Sequence, residues 1–547
     1  YGSAGGNGVI MITTKSGKGG KKGIGVSASV ATTADSPYRF IKEQNQYGQG
    51  ERADSWQYDN TDTYGPKLDG SFTGDFWNTK TQQWENGPQR SANEDRVKAY
   101  LQTGTTVTTN VNLDGNYDKG SFRLSVTDMK NTGVMPNTKT TQNSISFNSD
   151  YRLTDKIKIT ANANYVRTYS PNKANVTGSN SILNRLLFNL PTNLQPLSDM
   201  KNYWLTGFDG LLMNGAIQRD NGIDQSEPNP WWITNEQLNI FTRNNFFGKI
   251  QMDWKLNDNF SLLLRSGLNN LNENYEYRQS FGIQRLSNRP GSGDGAFNAN
   301  TSNAFNVVSD AIISYNKTVS DFTFAAAAGV NYVYNSANSY YTNASALSTP
   351  NWFNTANAFP NKLTAGYDWS ARPQHSFYGT FDVSWKEQLF LGLTGRQDYI
   401  GNLSEEKINY FYPSVSASWL VNESFVLPQQ FDMVKVRLAY ANVGNGLINY
   451  RNIDTFGYTV PDWSGSVKTG TVSSTLIDPS IKPMSSVTKE VGLDMWLFRK
   501  KIMLDLTYFS KSQINQTGSV PVVPGSGYTS MTTNIGDVTN KGIEIGL

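Results

Sequence analysis

From about residue 105 onward, apolar and polar side chains alternate in segments of roughly ten residues, and no other feature constrains the fold as much. Val107, Thr109, Val111 and Leu113 share one face, while Thr108, Asn110, Asn112 and Asp114 share the other. Beyond a polar turn over 115–120, Phe122, Leu124 and Val126 repeat the pattern. Later, Ile157, Ile159, Ala161, Ala163 and Tyr165 oppose Lys158, Thr160, Asn162 and Asn164. A period of two belongs to strands whose two faces meet different solvents. About ten residues is also the length that crosses a bilayer at a tilt. An ordinary globular strand is shorter, about five or six.

The connections sort by length. Short turns fall at Arg152–Asp155, Leu256–Asn259, Lys386–Gln388 and Phe498–Lys501. Long connections are expected at about 167–240, 270–303, 334–372, 442–486 and 511–540. Sixteen strands are counted, the first over about Gly23–Thr33, and each long connection follows an odd-numbered one. Short turns at one end and long loops at the other define a transmembrane antiparallel β-barrel, an all-β fold. The last strand stops in mid-run at Ile543–Leu547, so the sheet is expected to be open and to continue in a longer chain.

Composition agrees. No run of about 18 apolar residues suggests a spanning helix, and a mean hydropathy of −0.50 suits a wall with one greasy and one wet face. The absence of cysteine removes disulfide scaffolds, thiolate metal sites and thiol catalysis. A single histidine removes two-histidine metal motifs. A net charge of +3 offers no basic footprint for nucleic acid. No cofactor or metal site is expected.

Trp254, Trp385 and Trp419 each close a strand, and Phe377, Phe381 and Val383 share the face of Trp385. They are expected to form an interfacial girdle against outer-membrane lipid. Trp77, Trp84, Trp204, Trp352 and Trp463 fall outside the alternating runs, as do Trp231 and Trp232. Loop aromatics beside Asn, Asp and Gln suit a sugar ring or another polar ligand with apolar patches. They equally suit packing of the loops into a rigid crown, and Trp231 with Trp232 lean that way.

Other constellations carry less. His375 lacks a nucleophile elbow and is expected to be a wall or rim residue. The paired acids Glu405–Glu406 and Asp59/Asp62 read as solvated loop charge, with loop calcium as the alternative. Residues Asn93–Leu101 predict a short helix capped by Asn93, with Glu94 and Asp95 in its first turn. The glycines of 1–20 do not form a phosphate loop, because Gly17-Lys18 is followed by Gly19-Gly20.

Ordered blocks along the chain carry a family resemblance. Tyr1-Gly2-Ser3, Asn7-Gly8-Val9-Ile10 and Ile12-Thr13-Thr14-Lys15 resemble the end of the plug domain of SusC/RagA-type TonB-dependent transporters. Tyr64–Gly70, Leu101–Gly104, Gly133–Asn137, Asn229–Trp232, Phe411–Ser416, Gly444-Asn445 and Asn540–Glu544 are similar to family blocks in the same order. Ala4-Gly5-Gly6 departs from the family's more usual Arg-Ala-Ala-like stretch. The resemblance implies a plug end over 1–20 and an incomplete barrel over 21–547, about sixteen of an expected 22 strands.

It also implies active import of an oligosaccharide or peptide, a SusD-like surface lipoprotein and the TonB–ExbB–ExbD machine, and no enzymatic activity. The TonB box would lie before Tyr1. Three alternatives stay open: a lid-less siderophore or cobalamin receptor, a secreted β-rich glycan-binding adhesin, and a glycoside hydrolase. No carboxylate spacing supports the last.

Overall fold

The computed structural model describes residues 22–57, 60–78, 81, 83–92, 95–175, 181–188, 190, 193, 197–204, 228–282, 295–400, 409–444, 456–459 and 469–547. The plug-end motif (Tyr1, Gly2, Ser3, Asn7, Gly8) and Trp463 lie outside these residues.

The chain opens with β1 (Gly23–Asp35), then β2 (Asp69–Asn78), β3 (Gln83–Arg90) and helix α1 (Arg96–Tyr100). Next come β4 (Gly104–Tyr117), β5 (Gly120–Thr132), β6 (Lys139–Arg152) and β7 (Ile157–Asn172). Helices α2 (Ile182–Phe188) and α3 (Pro230–Glu236) precede five long strands. These are β8 (Gln237–Lys255), β9 (Phe260–Gln279), β10 (Ala296–Val319), β11 (Phe322–Ala344) and β12 (Leu363–Trp385). Then follow β13 (Leu389–Ile400), β14 (Asn409–Leu420), α4 (Val421–Ser424) and β15 (Phe431–Gly444). Short loop strands β16 (Phe456–Thr459), β17 (Thr469–Val472) and β18 (Thr475–Ile477) lead to β19 (Ser485–Leu497), β20 (Ile502–Pro521) and β21 (Ser530–Gly546).

The sixteen expected strands are β1, β4 to β15, β19, β20 and β21, and each pairs antiparallel with the next. The sheet holds a seventeenth, β18, which runs parallel to β21 over Ser530–Thr532. That strand lies within a stretch expected to be plain loop. Among the described residues β1 pairs on one side, with β4.

Strand length departs from expectation. β8 to β12 run 19 to 24 residues, about twice the ten that a bilayer requires. Much of what alternation assigned to loops over 270–303, 334–372 and 511–540, and the two ends of 167–240, is strand that continues beyond the membrane. Some of these continuations, such as Asn269–Asn274 and Asn298–Asn303, are mostly polar on both faces because both meet water. An apolar–polar period vanishes there although the ladder persists.

The two faces differ as expected within the band. Phe381 faces Leu393, which faces Val415, which faces Tyr440, all on the outward surface. The opposite parity carries the charges. Asp310, Asn331, Ser376, Tyr378, Arg396 and Asp398 line the lumen on β10 to β13. At the short-turn end, Lys386 and Glu387 form a tight hairpin with φ of 50° and 54°. Both central residues of such a turn adopt the left-handed region, which matches the strand twist.

Candidate functional site

The lumen wall holds a polar network that spans adjacent strands. Arg396 Nε donates to Asp398 Oδ1 at 2.6 Å, and its Nη2 donates to Asn331 Oδ1 (3.0 Å) and Ser376 Oγ (2.8 Å). Asn331 donates onward to Asp310 Oδ1 at 2.9 Å, and Arg265 Nε donates to Asp310 Oδ2 at 2.7 Å. The Asp398 side chain is 0% exposed. A buried carboxylate persists only when its acceptor oxygens are satisfied, and here charge-assisted bonds do so. Sequence reasoning missed this network. Its signal was available: oppositely charged residues at Arg396 and Asp398, two apart on the polar parity of one strand.

At the long-loop end, segments from three connections share one hydrophobic core, the crown. Val97, Tyr100, Met135, Ile182, Leu186, Leu190, Leu197, Met200, Trp232 and Ile233 are buried together. Helix α1 starts two residues later than expected. Its cap is Asp95, whose side chain accepts from the Lys98 amide at 3.2 Å, so Asp95 takes the role assigned to Asn93. Helix α3 is capped by Asn229, which accepts from the Trp231 amide, and Pro230 fills the first turn. The same Asn229 donates to Met200 O at 2.9 Å, and the Trp231 indole donates to Leu197 O at 2.8 Å. Helix α3 is thereby tied to the neighbouring loop. Arg96 donates to Leu190 O, tying α1 to the segment after α2.

Two crown phenols show how dry this region is. Burial pushes Tyr100 up to about 12, opposed by its 2.8 Å hydrogen bond to Thr234 Oγ1. Burial, with the adjacent Glu236 carboxylate, also raises Tyr203. Between the crown and the upper wall lies a cavity of about 400 Å3. Tyr100 and Ile233 line it from above, and Asn239, Tyr275, Tyr277 and Asn298 from the strands. Its walls combine amide, phenol and apolar surface, the mixture that holds a polar organic ligand.

The candidate tryptophans are dispersed. Trp77 and Trp84 are not loop residues: they are cross-strand partners in the β2–β3 hairpin. Trp84 is exposed. Trp204 packs against the crown core and lies 5.4 Å from the Tyr203 ring. Trp352 is exposed on the β11–β12 connection, where its carbonyl accepts from the buried Asn357. Among the described residues no ring contact joins Trp84, Trp204 and Trp352. Trp231 and Trp232 belong to the crown.

The other candidates are also located. Trp254, Trp385 and Trp419 stand at the short-turn ends of β8, β12 and β14. Lys386 Nζ lies 5.2 Å over the Trp385 ring, and the Trp419 indole donates to Ser424 Oγ at 2.9 Å. His375 is on the outward face of β12, its ring 5.1 Å from Tyr332. Asp59, Glu405 and Glu406 lie outside the described residues.

A sheet with an apolar outside, a charged inside and loops gathered at one end defines an outer-membrane β-barrel. Residues 184–547 match the family model described as "TonB dependent receptor-like, beta-barrel", and the chain belongs to that family. It is 24% identical to TonB-dependent receptor P26 of Formosa agariphila, over 100% of this chain and 52% of that protein. It is 22% identical to TonB-dependent receptor P39 of the same organism, over 100% of this chain and 49% of that one. The chain thus spans about half the length of the curated relatives it matches. Its fold is similar to that of the RagAB peptide importer in the closed-closed state, with a TM-score of 0.75 and 14% identity. That match covers 100% of this chain and 60% of the other.

Proposed function

We propose that this chain supplies the barrel wall and part of the loop crown of a TonB-dependent importer of oligosaccharides or peptides. A SusD-like surface lipoprotein would cover the loop end, and TonB–ExbB–ExbD would energise transport. The observation that carries this reading is the wall itself: a polar inner face, an apolar exterior and a cavity at the loop end. RagAB, whose fold this chain resembles, is a peptide importer, which favours peptides as the first class to test.

Within this reading Trp254, Trp385 and Trp419 anchor the short-turn rim in lipid headgroups. Trp84 and Trp352 remain substrate-contact candidates, as does Trp77, and Trp204 supports the crown. The Tyr1–Gly8 motif would close the plug.

Deletion of the complete reading frame, followed by growth on single peptides and glycans, tests the function. The expected result is loss of growth on one substrate class, restored by the intact gene. Unchanged growth on every peptide and glycan, with lost growth on a chelated metal or cobalamin, would replace it with the receptor alternative.

A further inference from the structure

Register along β12 measures the membrane. Trp385 and His375 share the outward parity and stand ten residues apart. At about 3.3 Å per residue and a tilt near 40°, that is about 25 Å along the membrane normal. This equals the height of a barrel's apolar band, about 25 Å. Aromatic rings mark the upper edge as well: Tyr332 packs on His375, and Tyr399 meets Phe377 edge-on at 6.2 Å.

The strand does not stop there. Trp369 and Tyr367 lie six and eight residues farther up the same outward face, about 15 to 20 Å above the apolar band by the same measure. Tyr340, directly across from Tyr367 in register, stacks on it with centroids 4.5 Å apart. The three rings are more than half exposed: 56% for Tyr340, 53% for Tyr367 and 59% for Trp369. Amides surround them on the same face, with Asn338 opposite Trp369, Asn303 opposite Asn338 and Asn272 opposite Asn303. β13 ends at Ile400 opposite Gln374, so among the described residues no strand covers β12 beyond that point.

We propose that this patch binds the sugar headgroups of the outer leaflet's glycolipid. Its position selects the occupant. The patch faces away from the lumen, so it is off the import path. It continues the lipid-contacting face upward, into the layer where headgroups stand. Acyl chains are the wrong partner, because asparagine amides there would lose water without gaining hydrogen bonds. Stacked rings bordered by amides instead match the C–H faces and hydroxyls of sugars. A second protein copy fits less well. Three half-exposed aromatic side chains offer far less than the roughly 800 Å2 per partner of a stable interface.

The test uses the full-length protein in nanodiscs containing either rough lipooligosaccharide with phosphatidylglycerol or phosphatidylglycerol alone. Hydroxyl-radical labelling of Trp369 and Tyr367 is expected to fall about fivefold with the lipooligosaccharide. The number of lipooligosaccharide molecules retained, counted by native mass spectrometry, should drop in Trp369→Ser and in the triple change Y340S/Y367S/W369S. Heat-modifiable migration of each variant establishes that its barrel is folded, and W369S alone suffices if the triple variant is not. Equal labelling in both nanodiscs would overturn the proposal. So would protection that appears only in discs holding two copies, which would assign the patch to self-association.

Discussion

The wall and the crown use apolar side chains in opposite ways. In the wall, the large apolar side chains of Phe377, Phe381, Val415 and Leu438 are exposed, because lipid is their partner. Backbone pairing through strand after strand holds it together. In the crown, Leu186 and Trp232 are 0% exposed, and a small core of the soluble kind binds loops that share little secondary structure. One chain therefore carries two kinds of stability, and a substitution that harms one region should leave the other nearly intact.

The largest expected effect tests that separation. Trp232→Ala empties the centre of the crown, and removing a buried tryptophan costs about 3–5 kcal/mol. Limited proteolysis of the full-length protein should cut the loops much faster, while heat-modifiable migration of the barrel is unchanged. Trp232→Phe should be far milder. The indole nitrogen of Trp232 is buried without an acceptor among the described residues, so its loss sacrifices no hydrogen bond. Loss of the barrel in Trp232→Ala would mean that wall and crown fold as one unit.

The wall has its own internal contrast. Phe381 and Thr380 are neighbours near the middle of the apolar band, one facing lipid and one the lumen. An arginine at the lipid-facing midplane costs about 2–4 kcal/mol, whereas one facing a wet lumen costs little. Refolding into lipid against urea should therefore shift strongly for Phe381→Arg and barely for Thr380→Arg. A larger shift for Thr380→Arg would show that the outward and lumenal parities are exchanged, and equal shifts would show that both faces meet the same solvent.

This difference also decides what the sequence makes legible. Within the band, adjacent residues meet different solvents, so the pattern of Ile157 to Tyr165 exposes both the strand and its direction. Above the band both faces are wet, and Asn269 to Asn274 look like loop although they pair throughout with β8 and β10. The crown is harder still. Its core joins Val97, Met135, Leu186 and Trp232, brought together by loop closure rather than by any period, so no local window contains the pattern. Trp77 and Trp84 fail for a related reason: Asn86, Gly87 and Pro88 break the alternation around a hairpin that nevertheless forms. The three strand-closing tryptophans were legible because chain position alone places them at the short-turn rim.

The smallest expected effect separates the regions by pH. Tyr100 sits above its ordinary value, at about 12 against 10, because burial disfavours the phenolate. The folded crown thus binds the proton more tightly than the unfolded chain. Its stabilisation is complete below about pH 10 and disappears as pH rises through about 12. Near-ultraviolet circular dichroism should report crown loosening in that window, with the strand signal of the wall preserved. Tyr100→Phe removes the titrating hydroxyl. It should cost about 1 kcal/mol or less at neutral pH, because Thr234 Oγ1 still donates to Pro230 O at 2.7 Å. In that variant the alkaline transition moves upward without vanishing, since Tyr203 is raised by burial and by Glu236 and titrates in the same sense. An unmoved transition would assign the alkaline sensitivity to groups other than Tyr100.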